Sequence, residues 1–302
     1  MPCCILILEK KLNNKEIIID LTQEKREIIP EIINKVDFNK YQKIEKFKSK
    51  IIKKTSLTFD DVFNLKDAGI QYHRSGIGLS NKGGNDLYER IFCSRSENKF
   101  KNKKETWYGK LVNRYYITDE TDEFFNLDYK SVLNKNESVS FTKEAFEEKE
   151  KILWRQTASS LLAVIDNKKR WFRNTIQCGY LKDDYKNTVD LLYALAIFNS
   201  KYIDYVYRKM VLETGRVFPQ VKIKYLKQLP FILPQKDLQQ YLSTVTNKII
   251  DFNKNLQNLD SILDEKEYKE LKIEIDKTDK EIDKMVYQLY GLTEEEIKIV
   301  EK

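Results

Sequence analysis

The 302-residue sequence predicts an α+β protein, with a mixed or antiparallel sheet domain followed by a coiled-coil-like α-helical hairpin. Three observations carry this reading. Between Thr55 and about Pro234 the chain is written in short apolar or aromatic runs broken by polar and Gly-containing stretches, as strands are. From Leu238 to Leu263 apolar residues recur in alternating steps of four and three, the spacing of a helical seam. A composition that is 41% hydrophobic and 12% aromatic suffices for one or two buried cores.

At the N-terminus, "CCILIL" and "EIIIDL" read as strands over Cys3–Leu8 and Glu16–Leu21, joined by the turn-prone "KLNNK". The first run meets Glu9, Lys10 and Lys11 too soon for a membrane span and has no basic residue ahead of it, so it is no signal peptide. Residues 1–25 are therefore expected to be strands of a sheet completed elsewhere. A linker helix is expected over 26–54, where Ile33, Val36, Tyr41, Ile44, Phe47 and Ile51 fall at roughly helical spacing.

Within the sheet domain, residues 55–234, the runs "LVNRYYI", "KILWRQT", "SLLAVID", "RWFRNTI" and "RVFPQVKIKYL" are the expected strands. One helix interrupts them, with Leu191, Leu192, Leu195, Phe198, Tyr202 and Val206 on its buried face. Residues 235–302 form the hairpin. Its first helix carries the seam Leu238, Leu242, Val245, Ile249, Phe252, Leu256, Leu259 and Leu263, and its second carries Leu271, Ile275, Ile282, Met285 and Leu289 before Gly291. Thr293 and Glu296 have the spacing of a capping box for a short last helix. An ordinary amphipathic pair packed on the domain fits the same spacing.

Chemistry is harder to find. The four cysteines form no C-x-x-C pair and His73 is the only histidine, which argues against zinc and for a reducing cytoplasm. The 44 lysines against 10 arginines suggest an A·T-rich bacterial genome. In "GIGLSNKGG", Gly78 and Gly83 have the spacing of a phosphate-binding loop, but Gly84 stands where its lysine belongs. The acidic strings "TDETDEFFNLDYK" and "DEKEYKELKIEID" suit a metal-dependent nuclease or a solvated face, and the solvated face is the commoner use.

Charge divides along the chain. Residues 151–230 hold 15 Lys+Arg against 6 Asp+Glu, whereas 251–302 hold 9 against 15, so only the first segment attracts a polyanion. Its cations are interleaved with aromatics and turns: "LWRQT", "NKKRWFRN", "VYRKM", "TGRVFPQVKIKYLK". Alternation in "VKIKYLK" predicts a strand with Lys222 and Lys224 on one face. Such a face beside loops bearing Arg and Gln suits phosphates and base edges.

Taken together, "KILWRQT", "LLYALAIFNSKYIDYVYR", "GRVFPQVKIKYLKQLP" and "IDKMVYQLYGLTEEEIKIVE" resemble the TaqI-like C-terminal specificity domain of adenine-N6 DNA methyltransferases and of type IIG restriction-modification enzymes of the Eco57I kind. The resemblance runs from about Ser56 to the C-terminus, and "PCCILILEKK" is similar to a late strand of the catalytic domain in such enzymes. It implies target recognition on double-stranded DNA, with a methyltransferase catalytic domain as partner on the same or another polypeptide. No Asn-Pro-Pro-Tyr motif or cofactor loop occurs here, so S-adenosylmethionine is expected only in the parent enzyme, and this chain is expected to have no catalytic site, cofactor or metal of its own.

Candidate readers of bases are Arg155, Gln156, Arg173, Asn174, Gln177, Arg208 and Arg216, because arginine and amide side chains match base edges. Candidate phosphate contacts are Lys168, Lys169, Lys222, Lys224 and Lys227. Trp154, Trp171 and Phe218 are expected in the core. Two other readings stay open: a helical protein-docking or dimerisation scaffold that binds DNA incidentally, and the metal-dependent nuclease.

Overall fold

In the computed structural model the described residues are 6–9, 18–21, 24–26, 57–75, 84–211, 220–233 and 235–302. They belong to two compact units, residues 1–54 and 55–302. The expected linker helix lies outside the described residues. In the first unit β1 (Leu6–Glu9), β2 (Ile18–Leu21) and β3 (Glu24–Arg26) form an antiparallel sheet in which Leu6 faces Leu21 and Ile19 faces Arg26. The third strand was not expected from the sequence.

The second unit opens with a short strand, β4 (Leu57–Thr58), and a one-turn helix, α1 (Phe59–Val62), begun by the Thr58–Asp61 capping box. Two four-stranded sheets follow. In the first, β5 (Phe63–Lys66), β13 (Lys151–Arg155), β14 (Ala163–Asp166) and β16 (Ile176–Leu181) are antiparallel in the order β14-β13-β16-β5. The second has the order β15-β8-β11-β7, where β7 is Phe92–Ser94, β8 Lys103–Trp107, β11 Glu123–Asn126 and β15 Trp171–Phe172. Only the β15–β8 pairing is parallel. Smaller pairs join β6 (Gln71–Arg74) to β12 (Glu137–Ser140), β9 (Val112–Asn113) to β10 (Tyr116–Ile117), and β17 (Pro230–Phe231) back to β4.

The apolar run of "KILW" follows from burial of β13 on both faces. Leu153 joins Val164, Ile176 and Cys178 in a core shared with Trp107, Phe125, Phe146, Trp171 and Phe172. Phe146 and Trp171 lie there with ring centroids 4.9 Å apart. On the opposite face Trp154 packs against Phe198 of α4 (Leu191–Asn199) at 5.3 Å. Trp154 and Trp171 are thus core residues, each burying apolar area worth about 2–3 kcal/mol.

The string "NSK" is explained locally. Asn199, fully buried, accepts from the Ala163 amide at 2.8 Å and donates to its carbonyl at 3.0 Å, which locks the start of β14 to α4. Ser200 ends α4, and its hydroxyl accepts from the Ile203 amide at the start of α5 (Lys201–Met210). Two further helices, α2 (Gly84–Ile91) and α3 (Lys143–Glu147), cover the second sheet.

"VKIKYLK" is not a strand. It forms the one-turn helix α6 (Ile223–Leu226), in which the Lys222 carbonyl accepts from Tyr225 at 3.0 Å and Leu226 at 3.3 Å. Extended pairing stops after the Thr157–Gln220 bridge and the Val221 N–H bond to Gln156 O, and a helical turn satisfies the backbone beyond it.

The hairpin is α7 (Lys236–Gln257) and α8 (Glu265–Tyr290), followed by α9 (Glu294–Val300) with the expected Thr293–Glu296 capping box. Gly291 takes a left-handed φ of 63° to stop α8. The hairpin belongs to the same compact unit as the sheets, because α7 packs on α4 as well as on α8. Leu242, Val245 and Ile249 are buried, but Leu238 is 41% exposed and Leu263 85% exposed. The seam is therefore a core for its middle and not for its ends.

Candidate nucleic-acid interface

Both sheets finish at one edge. β8 and β15 run parallel and end there at Trp107 and Phe172, β13 ends there at Arg155, and β16 starts there at Ile176. Four segments line this edge: 108–113, 156–157, the turn 173–175, and 220–222. Backbone hydrogen bonds bind them together. Arg173 N–H donates to Trp107 O at 2.8 Å, Gln156 N–H to Thr175 O at 2.9 Å, and Val221 N–H to Gln156 O at 2.7 Å. A bridge joins Thr157 to Gln220, and Thr175 Oγ1 accepts from Gly109 N–H at 2.9 Å.

The residues singled out in the sequence divide here. Gln156 and Asn174 sit on the edge, half-buried. Arg155 is also there but is turned inward. It donates to Val112 O at 2.6 Å, Asn113 Oδ1 at 3.0 Å and Lys110 O at 3.2 Å, and burial lowers its pKa from the usual arginine range. Arg173 is paired with the buried Glu123 carboxylate at 3.1 Å and lies over the Tyr88 and Phe92 rings, 5.2 Å from each centroid. Gln177 is buried and accepts from Trp154 Nε1 at 2.9 Å. Three of the expected readers are thus engaged in holding the edge together.

The lysines scatter. Lys222 lies beside the edge, its amide donating to Tyr207 Oη at 2.7 Å. Lys168 and Lys169 lie at the opposite end of β13, where Lys151 pairs in register with Asp166. Lys168 pairs with Asp119 at 2.6 Å, and Lys169 has a left-handed φ of 53°. Beneath them Lys151 and Asp166, both fully buried, pair at 2.9 Å, and Arg170 adds a second bond to Asp166 at 2.8 Å. Burial works against the Asp166 charge, but these two cations hold its pKa below the ordinary value. Lys224 is exposed on α6 over the Tyr225 ring, and Lys227 pairs with Asp60 at 3.1 Å. Arg208, on α5, is paired with Asp204, whose other oxygen accepts from the Leu161 amide at 2.7 Å. Arg216 lies outside the described residues.

Lys110 and Gln220 were missed from the sequence. Gln220 stands in "FPQ", inside the basic segment, but Lys110 lies 41 residues before it and only the fold brings it to the edge.

The acidic strings do not converge. Asp119 is bound by Lys168 and Arg170, Asp122 accepts from Tyr108 Oη at 3.1 Å, and Glu123 accepts from Tyr88 Oη at 2.6 Å. Among the described residues no group of three or more His, Cys, Asp or Glu side chains is arranged to hold a metal ion. No described helix is long and apolar enough to cross a membrane.

A family model described as the TaqI-like C-terminal specificity domain matches residues 89–231. The match covers 143 of the 302 residues, just under half of the chain. The matched residues contain the whole polar edge, from Lys110 to Lys222. Among solved structures, the chain is similar to the type IIL restriction-modification enzyme MmeI, solved in complex with DNA, at 11% identity and a TM-score of 0.46, covering 95% of this chain and 38% of that one. It is also similar to the type IIG restriction endonuclease BpuSI, at 14% identity and a TM-score of 0.41, covering 91% of this chain and 37% of that one. The chain thus spans under two fifths of either enzyme's length. A comparison with curated proteins finds no match.

Proposed function

We propose that this chain reads a short sequence in double-stranded DNA, as the specificity part of an adenine-N6 DNA methyltransferase or type IIG restriction-modification enzyme. The catalytic domain, and with it S-adenosylmethionine, belongs to the partner, since the methyltransferase Asn-Pro-Pro-Tyr motif is absent from this sequence. The observation that carries the reading is the specificity-domain match over residues 89–231, which encloses a polar edge built from four segments.

The physical division of labour suits such a partner. An enzyme that modifies a base must flip it from the stack while the duplex is held in register. Exposed lysines such as Lys110 and Lys224 offer register through phosphates, and side chains on the rigid edge offer discrimination. The test is affinity selection by the full chain from a pool of randomised duplexes. An enriched sequence is expected; a pool that stays random after repeated rounds, with binding intact, contradicts sequence reading.

A further inference from the structure

We infer that the side-chain amides of Gln156, Asn174 and Gln220 are the base-reading groups of the edge, and that they select adenine. This rests on the DNA-recognition reading above and deepens it. The selection among edge residues comes from hydrogen-bond accounting. Arg155, Arg173, Asn113 and Thr175 each commit at least one side-chain polar atom within the protein, on the partners given above. To reach a base, each would have to leave a buried or half-buried partner unsatisfied, which costs free energy. The amides of Gln156, Asn174 and Gln220 have no such partner among the described residues.

Their supports are rigid. The turn carrying Asn174 is held by Ile70 from one side, with Ile70 N–H donating to Phe172 O at 2.8 Å and Asn174 N–H to Ile70 O at 3.1 Å. Gly69 closes that side so tightly that a Cβ there would stand 2.6 Å from the Asn174 nitrogen. Gln220 is one partner of the bridge to Thr157, and the carbonyl of the adjacent Gln156 accepts from Val221 N–H. A pre-ordered backbone suits a reading surface, because little backbone entropy is lost on docking. Each amide offers one donor and one acceptor side by side, which matches the N6 donor and N7 acceptor of adenine in the major groove.

The experiment uses the full chain, the three single alanine variants, and the sequence that wild type selects. Wild type is expected to select at least one A·T position, and each variant to lose preference at one such position while binding random duplex as before. Affinity for the selected site should fall about tenfold per variant. Duplexes with 7-deazaadenine, which lacks the N7 acceptor, test the same contact without altering the protein. They should weaken wild type and leave the matching variant indifferent. Unchanged preference in all three variants, or wild-type affinity indifferent to 7-deazaadenine at every selected adenine, overturns this inference while the recognition reading stands. A wild type with no preference overturns both.

Discussion

Asp283 is the residue whose environment departs most plainly from what its type prefers. It is 1% exposed on α8, one oxygen accepts the Lys201 amide at 2.8 Å, and the other has no hydrogen-bond partner, with Lys201 Nζ 3.8 Å away. Burial pushes its carboxyl up to about 6, against the pull of the Lys201 amide and of Arg114. The folded protein therefore binds this proton more tightly than the unfolded chain, whose carboxyl titrates near 3.8. Its contribution is largest below pH 4 and is lost as pH rises through 6, a difference of up to roughly 3 kcal/mol. Asp283→Asn should remove that slope while keeping the bond to the Lys201 amide, and urea titrations at pH 4.5 and 7.5 check it. Equal pH dependence in the two proteins contradicts the assignment. Gly69 and Gly179 make a second pair of predictions. A Cβ on Gly179 meets the end of the Leu65 side chain at 2.7 Å, whereas on Gly69 it meets the Arg173 and Asn174 backbone. Gly179→Ala should cost about 1–3 kcal/mol, and Gly69→Ala more, because side chains yield more easily than a hydrogen-bonded turn. Thermal melting ranks them, and a Gly69→Ala melting point at or above that of Gly179→Ala refutes the ordering.

At the scale of elements, the hairpin separates pattern from burial. The seam from Leu238 to Leu263 is unbroken in the sequence, yet only its middle is covered, by α4 and α8 together. Periodicity reports which face of a helix is apolar but not where the helix ends: α7 stops at Gln257, which leaves Leu259 and Leu263 in the connection to α8. Ile249→Asp should therefore destabilise the protein by several kcal/mol, because it buries an unpaired charge, while Leu263→Asp should change stability by less than about 0.5 kcal/mol. Circular-dichroism melts of the two variants decide it, and equal losses contradict the burial pattern. The strands at "KILW" and "AVID" and the terminal capping box were legible because apolar periodicity and local capping chemistry agreed there, whereas the single helix expected over Leu191–Val206 is two, α4 and α5, divided at the extended Ser200. "VKIKYLK" misled because alternation over so short a run does not exclude a helical turn.

Across the whole molecule, charge and fold play different parts. The excess of cations over residues 151–230 was legible as attraction for a polyanion, but it did not locate the edge. The edge draws on segments around Lys110, Gln156, Asn174 and Gln220, which are distant in sequence, and the same edge ties down arginines that composition alone marks as readers. Lys168 and Lys169 fell into the candidate set for the same reason, though they lie at the far end of β13. If about five phosphates are contacted, log affinity for duplex should fall against log salt with a slope of roughly −4 to −5, and Lys110→Ala should reduce it by about one. A salt-insensitive affinity contradicts that. The most direct measurement is hydrogen–deuterium exchange of the full chain with and without its selected duplex. Protection of residues 108–113, 156–157, 173–175 and 220–222 is the expected result; protection confined to the Lys168–Lys169 end of β13 or to the hairpin contradicts the assignment of this edge to DNA.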